Sequence, residues 1–233
     1  MTRDPGACLV CGGELHYLDR EQEMTCAHCG KTFLSRASCV HGHFICDACH
    51  ARGSVSVILD HCRRSTLRDP IALVQEIMDE PYIHMHGNEH HIMVGAALIT
   101  AYRNAGGAVD LDAALEEMCA RGESCPGGSC GFWGCCGAAV SCGMFFSIVT
   151  KTTPLSGGSW GQANLMTSRA LAEIGGLGGP RCCKRNSFTA IRAAAGFVRE
   201  TLGVELELPE QIRCRWSPEN PQCIRRRCPY YEK

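Results

Sequence analysis

The chain has 233 residues, of which 45% are hydrophobic and 20% charged, and this composition predicts a soluble globular protein with one main domain. Lys and Arg number 23 against 24 Asp and Glu, so the formal net charge is -1, which excludes an overall electrostatic attraction to nucleic acid or to an anionic membrane. The best candidate for a membrane span, residues 142–149, is much shorter than the roughly 20 apolar residues that a span needs. We therefore expect no membrane partner and regard a nucleic-acid partner as disfavoured.

Cysteine dominates the chemistry that the composition predicts, because the chain contains 19 of them. A disulfide framework needs an oxidising compartment, but residues 1–6 lack the apolar segment of a secretory leader. Thiols in a reducing compartment bind metal ions instead. The sequence therefore predicts reduced, metal-bound cysteine in a cytoplasmic protein of a host that lives with little oxygen.

Two metal-binding knuckles lie near the N-terminus, Cys8-x-x-Cys11 and Cys26-x-x-Cys29. A glycine follows each knuckle and permits the tight turn in which two thiolates converge on one ion. This spacing predicts a zinc ribbon over residues 1–36, in which short strands at residues 14–18 and 23–25 pair between the knuckles. Four thiolates close the coordination sphere of Zn²⁺, so we interpret this site as structural rather than catalytic.

A second cluster of ligand residues follows within residues 39–50 and contains three cysteines and three histidines. The simplest ligand set for a second ion consists of Cys39, His43, Cys46 and Cys49. His41 or His50 could replace His43, and the sequence does not choose between them. An alternative is that these histidines only cap helices and form hydrogen bonds. We expect a second small Cys/His metal module over residues 37–64.

The apolar pattern changes to a helical period after the second module. Asp69 or Thr66 can cap the first helix, which ends at Pro81. Further helices are predicted over residues 88–104, 110–121, 137–150, 162–174 and 187–202. Residues 204–208 alternate between apolar and polar side chains and predict a short strand. The expected fold is mainly α, with a helical cysteine-rich body over residues 65–233 preceded by small N-terminal zinc-ribbon-type metal modules.

The first candidate site in the body lies at a predicted helix start, where residues 84–91 contain four histidines and one glutamate. His86 and His90 are four positions apart and can share an ion, while Glu89 can ligate, act as a base or orient an imidazole. The positive end of the helix dipole lowers the pKa of histidines there and favours the neutral imidazole. The alternative is that these side chains are satisfied polar groups at a buried helix start.

The second candidate site is the glycine-rich loop over residues 125–137. Glycine lets backbone N–H groups approach a ligand, and the start of the following helix favours anions such as a thiolate. The alternative is a packed turn with inert buried cysteines. We predict that both candidate sites line one pocket for a small-molecule substrate. The catalytic candidates are His86, Glu89, His90, His91, Cys130, Cys135 and Cys136.

The third candidate site joins the vicinal pair Cys182 and Cys183 to the C-terminal cysteines. One of the pair completes a set of four ligands with Cys214, Cys223 and Cys228. Because Cys228 precedes a proline, a pattern typical of iron–sulfur ligation, we expect a 4Fe–4S cluster here, although zinc can use the same thiolates. Five arginines flank these thiols, and we interpret them as offsetting thiolate charge rather than as a nucleic-acid patch.

Four motifs of the chain stand out together. They are Gly42-His43-Phe44-Ile45-Cys46-Asp47-x-Cys49-His50, Met85-His86-Gly87-x-Glu89-His90-His91, Gly178-Gly179-Pro180-Arg181-Cys182-Cys183-Lys184-Arg185 and Cys223-x4-Cys228-Pro229-Tyr230. In these motifs the chain resembles a family of cysteine-rich prokaryotic proteins known as domain of unknown function 5714. The resemblance covers nearly the whole chain and brings no established reaction. It implies a radical-SAM or methyltransferase partner in anaerobic metallo-enzyme chemistry, because members are often encoded beside, or fused to, such proteins.

These sites favour a metalloprotein, with zinc in the N-terminal modules and an iron–sulfur cluster beside a His/Cys-lined pocket in the body. Redox, sulfur-transfer or methyl-transfer chemistry in an anaerobic pathway fits such a pocket. An alternative of a different class is a zinc-scaffolded protein- or nucleic-acid-binding module without catalysis. A third, metal carriage, requires exposed and exchangeable thiols. The vicinal thiols, the glycine-rich loop and the clustered histidines favour the enzyme, because a binding module does not need them.

Overall fold

The computed structural model describes residues 8–232, and its first element is a β-hairpin. Strand β1 covers Leu15–Thr25 and strand β2 covers Thr32–Cys39. They pair antiparallel, with Cys39 opposite Leu15 at one end. The prediction of two short strands between the knuckles was wrong, because residues 15–25 form one strand whose partner follows the second knuckle.

Nine α-helices follow the hairpin within the described residues. They are α1 (Asp47–His50), α2 (Ser54–Arg64), α3 (Pro70–Met78), α4 (Glu89–Asn104), α5 (Leu111–Glu123), α6 (Ser129–Phe132), α7 (Gly137–Val149), α8 (Gly158–Leu177) and α9 (Cys183–Leu202). We call residues 8–50 the metal module, residues 54–202 the helical body and residues 203–232 the tail. The fold is mainly α, as the sequence predicts. No helix in residues 8–232 is both long and apolar enough to cross a membrane.

Local sequence signals set several helix ends. Asp69 caps α3, because its carboxylate accepts the backbone N–H groups of Ile71 at 2.8 Å and Ala72 at 3.1 Å. The last helix, α9, begins one turn earlier than predicted, at Cys183, which places Cys182 at its N-cap. This earlier start brings the vicinal cysteines onto the end of a rigid element.

The strand predicted at residues 204–208 does not form. This segment makes a single backbone hydrogen bond to another part of the described chain, from the N–H of Glu207 to the carbonyl of Arg68 at 3.0 Å. A strand requires a ladder of such bonds with a neighbouring strand. Its alternating pattern instead reflects the packing of Leu206 against the helical core.

The central element of the core is α4, which packs against α2, α3, α5, α7 and α9. All of its residues from Glu89 to Tyr102 are buried. Gly95 permits the close approach of its neighbours, because a Cβ atom there would overlap Met118 of α5 and crowd Ser141 of α7. The histidines at the start of α4 therefore lie inside the protein rather than on its surface.

Candidate metal sites and pocket

Ligand atoms converge in two groups within the metal module. The first group consists of Cys8, Cys11, Cys39 and His43, and the second of Cys26, Cys29, Cys46 and Cys49. In each group the four ligand atoms lie within 4.8 Å of one another. The Sγ atoms of Cys11 and Cys39 are 3.8 Å apart, which is about the separation of two thiolates that each bind one tetrahedral Zn²⁺ at about 2.3 Å. Cys29 and Cys46 show the same separation, so both groups fit a metal ion such as zinc.

The two groups are interleaved along the chain, and this corrects the predicted ligand pairing. The sequence predicted one ion between the two knuckles and a second ion between Cys39 and Cys49. Instead, the pairing of β1 with β2 brings Cys39 next to the first knuckle. The second knuckle forms the turn at the other end of the hairpin, where the segment leading to Cys46 reaches it. Both groups therefore cross the predicted boundary between residues 36 and 37.

Of the three candidate histidines of the module, His43 is the one whose ring nitrogen belongs to a group that could hold an ion. Its Nδ1 atom lies 3.3 Å from the Sγ of Cys11 and 3.4 Å from the Sγ of Cys39. His41 lies outside the group, with its Nδ1 atom 3.5 Å from the Sγ of Cys11. His50 instead contacts the helical body.

The crowded thiols of the second group call for a cation. Burial opposes ionisation of Cys26, but N–H donors that include Cys46 lower its pKa to about 6. Burial and the neighbouring thiols Cys46 and Cys29 raise the pKa of Cys49 to about 12. One thiolate thus forms readily and suppresses ionisation of the next thiol. A bound Zn²⁺ would remove this repulsion.

Four thiols surround a small cavity between α9 and the tail, and we call them the tail thiols. They are Cys182, Cys214, Cys223 and Cys228. The cavity has a volume of about 20 Å³, room for about one water. Within residues 8–232, only the two groups of the metal module bring three or more ligand atoms within 4.8 Å of one another. The tail thiols therefore stand further apart than the ligands of a single ion.

Each tail thiol accepts hydrogen bonds from N–H groups. The Sγ of Cys182 accepts the backbone N–H of Arg185 and the side-chain N–H of Asn220, both at 3.5 Å. The other three accept backbone N–H groups from residues 216, 225 and 230. Such donors favour the thiolate, but burial has the larger effect and raises the pKa of Cys182 and Cys228, and that of Cys214 to about 11.

Two cationic side chains line the same cavity without a full set of partners. The Nζ atom of Lys184 is buried, makes no hydrogen bond and lies 5.5 Å from the centroid of the Trp216 ring. One terminal nitrogen of Arg185 is also buried and unpartnered. Burial lowers the pKa of Lys184 to about 8, against the opposing effect of Glu89 and the nearby thiols. An unpaired buried cation is costly, so an anionic group at this cavity would stabilise both side chains.

The vicinal cysteines separate into two different environments. Cys182 lines the tail cavity, whereas Cys183 lines a larger pocket between the metal module and the body. Cys182 has an extended backbone, with φ of -150° and ψ of 105°, and Cys183 is the first residue of α9. Their side chains therefore leave the chain in different directions, and only Cys182 joins the tail thiols.

The module–body pocket has a volume of about 600 Å³, within the range of small-molecule sites. Residues of both parts line it, including His50, His86, His91, Cys130, Arg181 and Cys183. Three of the predicted catalytic residues, His86, His91 and Cys130, thus face one pocket. His91 connects the two predicted sites, because its Nδ1–H donates to the carbonyl of Cys125 at 3.0 Å.

The other predicted catalytic residues do not line this pocket. Glu89 and His90 are buried at the start of α4. Cys136 is the N-cap of α7, and its Sγ accepts the side-chain N–H of Asn186 at 3.4 Å. Cys135 is half-buried, with its backbone N–H bonded to the carbonyl of Ser129 at 3.3 Å.

Glu89 is fully buried between two histidines. Its Oε1 lies 3.5 Å from the Nδ1 of His90 and its Oε2 lies 3.6 Å from the Nδ1 of His50. Burial would raise the pKa of Glu89, but His50 and His90 hold it well below its usual range. Burial also lowers the pKa of His90 to about 4 and that of His86 to about 3, so both imidazoles are neutral at pH 7. Both ring nitrogens of His90 lack a hydrogen-bond partner.

The fold and the sites together define a cysteine-rich helical protein with an N-terminal module that offers two metal sites. A family model described as a family of unknown function, DUF5714, matches residues 58–231, and the chain belongs to this family. The match covers most of the body and nearly all of the tail, and it begins after the metal module. Comparison with curated proteins gave no match, and comparison with solved structures gave none. The resemblance seen in the sequence is confirmed over residues 58–231, whereas the motif at residues 42–50 lies outside the matched region. A radical-SAM or methyltransferase partner stays a prediction.

Three residues of these sites were not among those predicted from the sequence. Lys184 and Arg181 flank the vicinal cysteines, and a lysine directly beside paired thiols is a signal that could have found the first of them. Asn220 carries no such signal. It is buried and bonds to His86, 134 positions away, with its Oδ1 3.3 Å from the Nε2 of His86.

Proposed function

We propose that the protein is a metal-dependent redox or group-transfer enzyme, or the accessory protein of one, with zinc in its module and an iron–sulfur cluster on its tail thiols. The tail cavity carries this proposal, because four thiols that accept N–H groups and two buried cations meet there. The wide spacing of the thiols supports a cluster over a single ion, since each thiolate of a cluster binds a different iron.

Charge and space support the same group. Four thiolates on an oxidised 4Fe–4S core leave about two negative charges, which Lys184 and Arg185 would balance. The cavity of about 20 Å³ is smaller than a cluster. Cys223 and Cys228 are only half-buried, so rotation of their side chains outward provides the room.

A cluster at this position supplies one-electron transfer, and the pocket supplies the groups around a substrate. His86 offers a neutral imidazole as a base, which the thiols need because burial raises the pKa of Cys130 and that of Cys183 to about 12. Once deprotonated, either thiol can attack the outer sulfur of a persulfide donor, which leaves as a thiolate, or the methyl carbon of a sulfonium donor, which leaves as a thioether. Asn220 connects the two places, because its amide bonds to the Nε2 of His86 and to the Sγ of Cys182. This contact supports a pocket and a cluster that act together.

The same chemistry favours a particular compartment, partner protein and kind of substrate. Accessible thiols and an iron–sulfur cluster favour the cytoplasm of an anaerobic host. A radical-SAM or methyltransferase protein is the partner that suits a group-transfer role, and a small molecule is the substrate that suits the pocket volume.

Anaerobic purification with iron, sulfide and zinc analysis tests the proposal. We expect brown protein with broad absorption near ~400 nm, and zinc in the module. Cys223→Ser should bleach the colour, whereas Cys119→Ser, which lies on α5 away from the tail, should leave it unchanged. Full colour in Cys223→Ser would remove the tail from the site.

A binding module without catalysis is the second candidate, and one observation favours it. Residues 225–227 form an exposed turn of three arginines, a feature that suits an acidic protein or nucleic-acid partner. Protein that contains zinc but neither iron nor sulfide after anaerobic purification would favour this candidate over the enzyme.

A further inference from the structure

The metal module and the helical body hold each other through reciprocal contacts. Arg36 of the module lies 5.0 Å from the centroid of the Phe132 ring, and Arg181 of the body lies 5.3 Å from that of Tyr17. The two aromatic rings meet edge to face at 5.8 Å. All four side chains line the module–body pocket, so the contacts that join the two parts also form its wall.

A hydrogen bond at the start of α1 strengthens this interface. The Oδ2 of Asp47 accepts the backbone N–H of Gly127 at 2.8 Å. Asp47 lies between Cys46 and Cys49, two ligands of the second group. An ion in that group therefore fixes the backbone that carries Asp47 against the glycine-rich loop.

His50 extends the module into the body. It directly follows the ligand Cys49, and its Nδ1 lies 3.6 Å from the Oε2 of the buried Glu89. Its ring also packs edge to face on His84, with centroids 4.5 Å apart. Neither the Oε2 of Glu89 nor the Nδ1 of His50 has a hydrogen-bond partner among the described residues, so at 3.6 Å the imidazole is the polar neighbour on this side of the carboxylate.

We infer that the metal module is one wall of a binding site for a mid-sized organic anion, and that His50 is a positioning residue of this site, held by the ion of the second ligand group. The family match begins at residue 58, so this chain completes the pocket of its body with a segment outside the matched region. The inference goes beyond the proposed function and does not depend on a cluster in the tail.

The positive charge of Arg181 indicates the class of ligand that the pocket binds. Within residues 8–232 no carboxylate pairs with Arg181, which lines the pocket. The two pocket carboxylates are engaged elsewhere, because Asp47 binds Gly127 and Glu21 lies 3.9 Å from Arg36. An anionic group on the ligand would give Arg181 its partner, and the volume of about 600 Å³ suits a mid-sized molecule.

Removal of the ion from the second ligand group, in the full-length protein, tests whether the metal module forms one wall of the pocket. Cys29→Ser removes one ligand, so we expect less zinc and roughly tenfold faster alkylation of Cys130 and Cys183 by iodoacetamide, read residue by residue by mass spectrometry. His28→Ala is the matched control, because His28 is an exposed residue of the same knuckle outside the ligand group. The control should match the wild type in both measurements.

A second variant tests His50 with both ions in place. His50→Ala keeps every ligand, so zinc content should be unchanged while hydrogen exchange of residues 84–91 increases, because Glu89 loses a neighbour. His41→Ala, a module histidine that contacts Cys11 instead, should leave this exchange unchanged. If Cys29→Ser also lost its helical circular dichroism, wild-type protein treated with a chelator would replace it in the alkylation measurement. Unchanged hydrogen exchange in His50→Ala would overturn the positioning role of His50. Unchanged alkylation in folded, zinc-depleted Cys29→Ser would overturn the inference that the metal module is one wall of the pocket.

Two reagents of similar size test the charge of the ligand. Iodoacetate is an anion and iodoacetamide is neutral, so Arg181 should raise the ratio of their rates at Cys183. We expect Arg181→Gln to lower this ratio a few-fold, and Arg169→Gln, on the outer surface of α8, to leave it unchanged. If Arg181→Gln leaves this ratio unchanged, the inference that the pocket binds an anionic ligand is overturned. None of these measurements uses the tail thiols, so they remain informative if the cluster proposal fails.

Discussion

Lys184 is a buried cation, and negative charge nearby is needed to offset the cost of its burial. Its side chain is 1% exposed and its Nζ has no hydrogen-bond partner. An uncompensated ion in such a place costs several kcal/mol. The groups that favour its charge are Glu89 and the thiols of Cys183, Cys182 and Cys214. A cluster on the tail thiols would provide permanent negative charge beside it.

Replacement of this lysine should change the electron affinity of the tail site. We expect Lys184→Met to shift the reduction potential of the cluster to more negative values, because the reduced cluster carries one more negative charge and loses a neighbouring cation. Lys151→Met, an exposed residue after α7, is the control. Anaerobic redox titration measures the shift, and equal potentials in all three proteins would remove Lys184 from the surroundings of the cluster.

The lowered pKa of His90 makes the stability of the helical body depend on pH. Burial lowers its pKa to about 4 in the folded protein, against 6.5 for an ordinary histidine. Between these values the unfolded chain binds a proton that the folded chain does not. Stability should therefore be complete above pH 6.5 and fall as the pH drops toward 4, by up to about 3 kcal/mol.

Denaturant unfolding at several pH values, followed by helical circular dichroism, measures this dependence. His90→Gln should reduce this slope without removing it, because burial also lowers the pKa of His86, to about 3, so that His86 titrates over the same pH range. The exposed hairpin variant His16→Gln should keep the full slope. A wild-type slope in His90→Gln would show that another group controls the acid sensitivity.

Most of the site residues were predictable one by one from the sequence, but several of their partners were not. The choice between Cys182 and Cys183 depended on where α9 begins, and the helical pattern placed that start one turn too late. The partner of His86 was out of reach, because Asn220 meets it only through the fold of the tail.

At the scale of elements, the hairpin explains why the ligand pairing was not predictable from knuckle spacing. The hairpin spans roughly 25 Å from end to end, because the eight residues of β2 lie alongside β1 over its whole length. The first and second knuckles lie at its opposite ends and cannot share an ion. The missing premise was that both halves of β1 pair with the same partner strand, across the irregularity between Tyr17 and Gln22. Two short strands paired with each other would have brought the knuckles together.

The packing of α4 gives a test of the helical core. A methyl group at Gly95 would overlap Met118 and crowd Ser141, so Gly95→Ala should destabilise the protein by about 1–3 kcal/mol. Gly175→Ala in α8 adds the same methyl group where the structure leaves open space, and should stabilise it by up to about 1 kcal/mol through helix propensity. Chemical denaturation compares the two. Destabilisation of equal size in both would contradict the packing of α4 against α5 and α7.

At the scale of the whole molecule, the start of α9 joins the two candidate sites. Cys182 belongs to the tail cavity and Cys183 to the module–body pocket, although they are neighbours in the chain. Helical periodicity predicted the body well, because apolar residues repeat along its helices. The meeting of module, body and tail at one place was not predictable, since it depends on contacts between residues far apart in sequence.

The same pair of cysteines distinguishes the tail cavity from the module–body pocket in one experiment. Cys182→Ser and Cys183→Ser differ by one position, and iron, sulfide and absorption near ~400 nm can be measured for both after anaerobic purification. We predict that Cys182→Ser loses the iron–sulfur cluster while Cys183→Ser retains about four irons per chain. Retention of the cluster in Cys182→Ser, or its loss in Cys183→Ser alone, would contradict the assignment of the tail thiols.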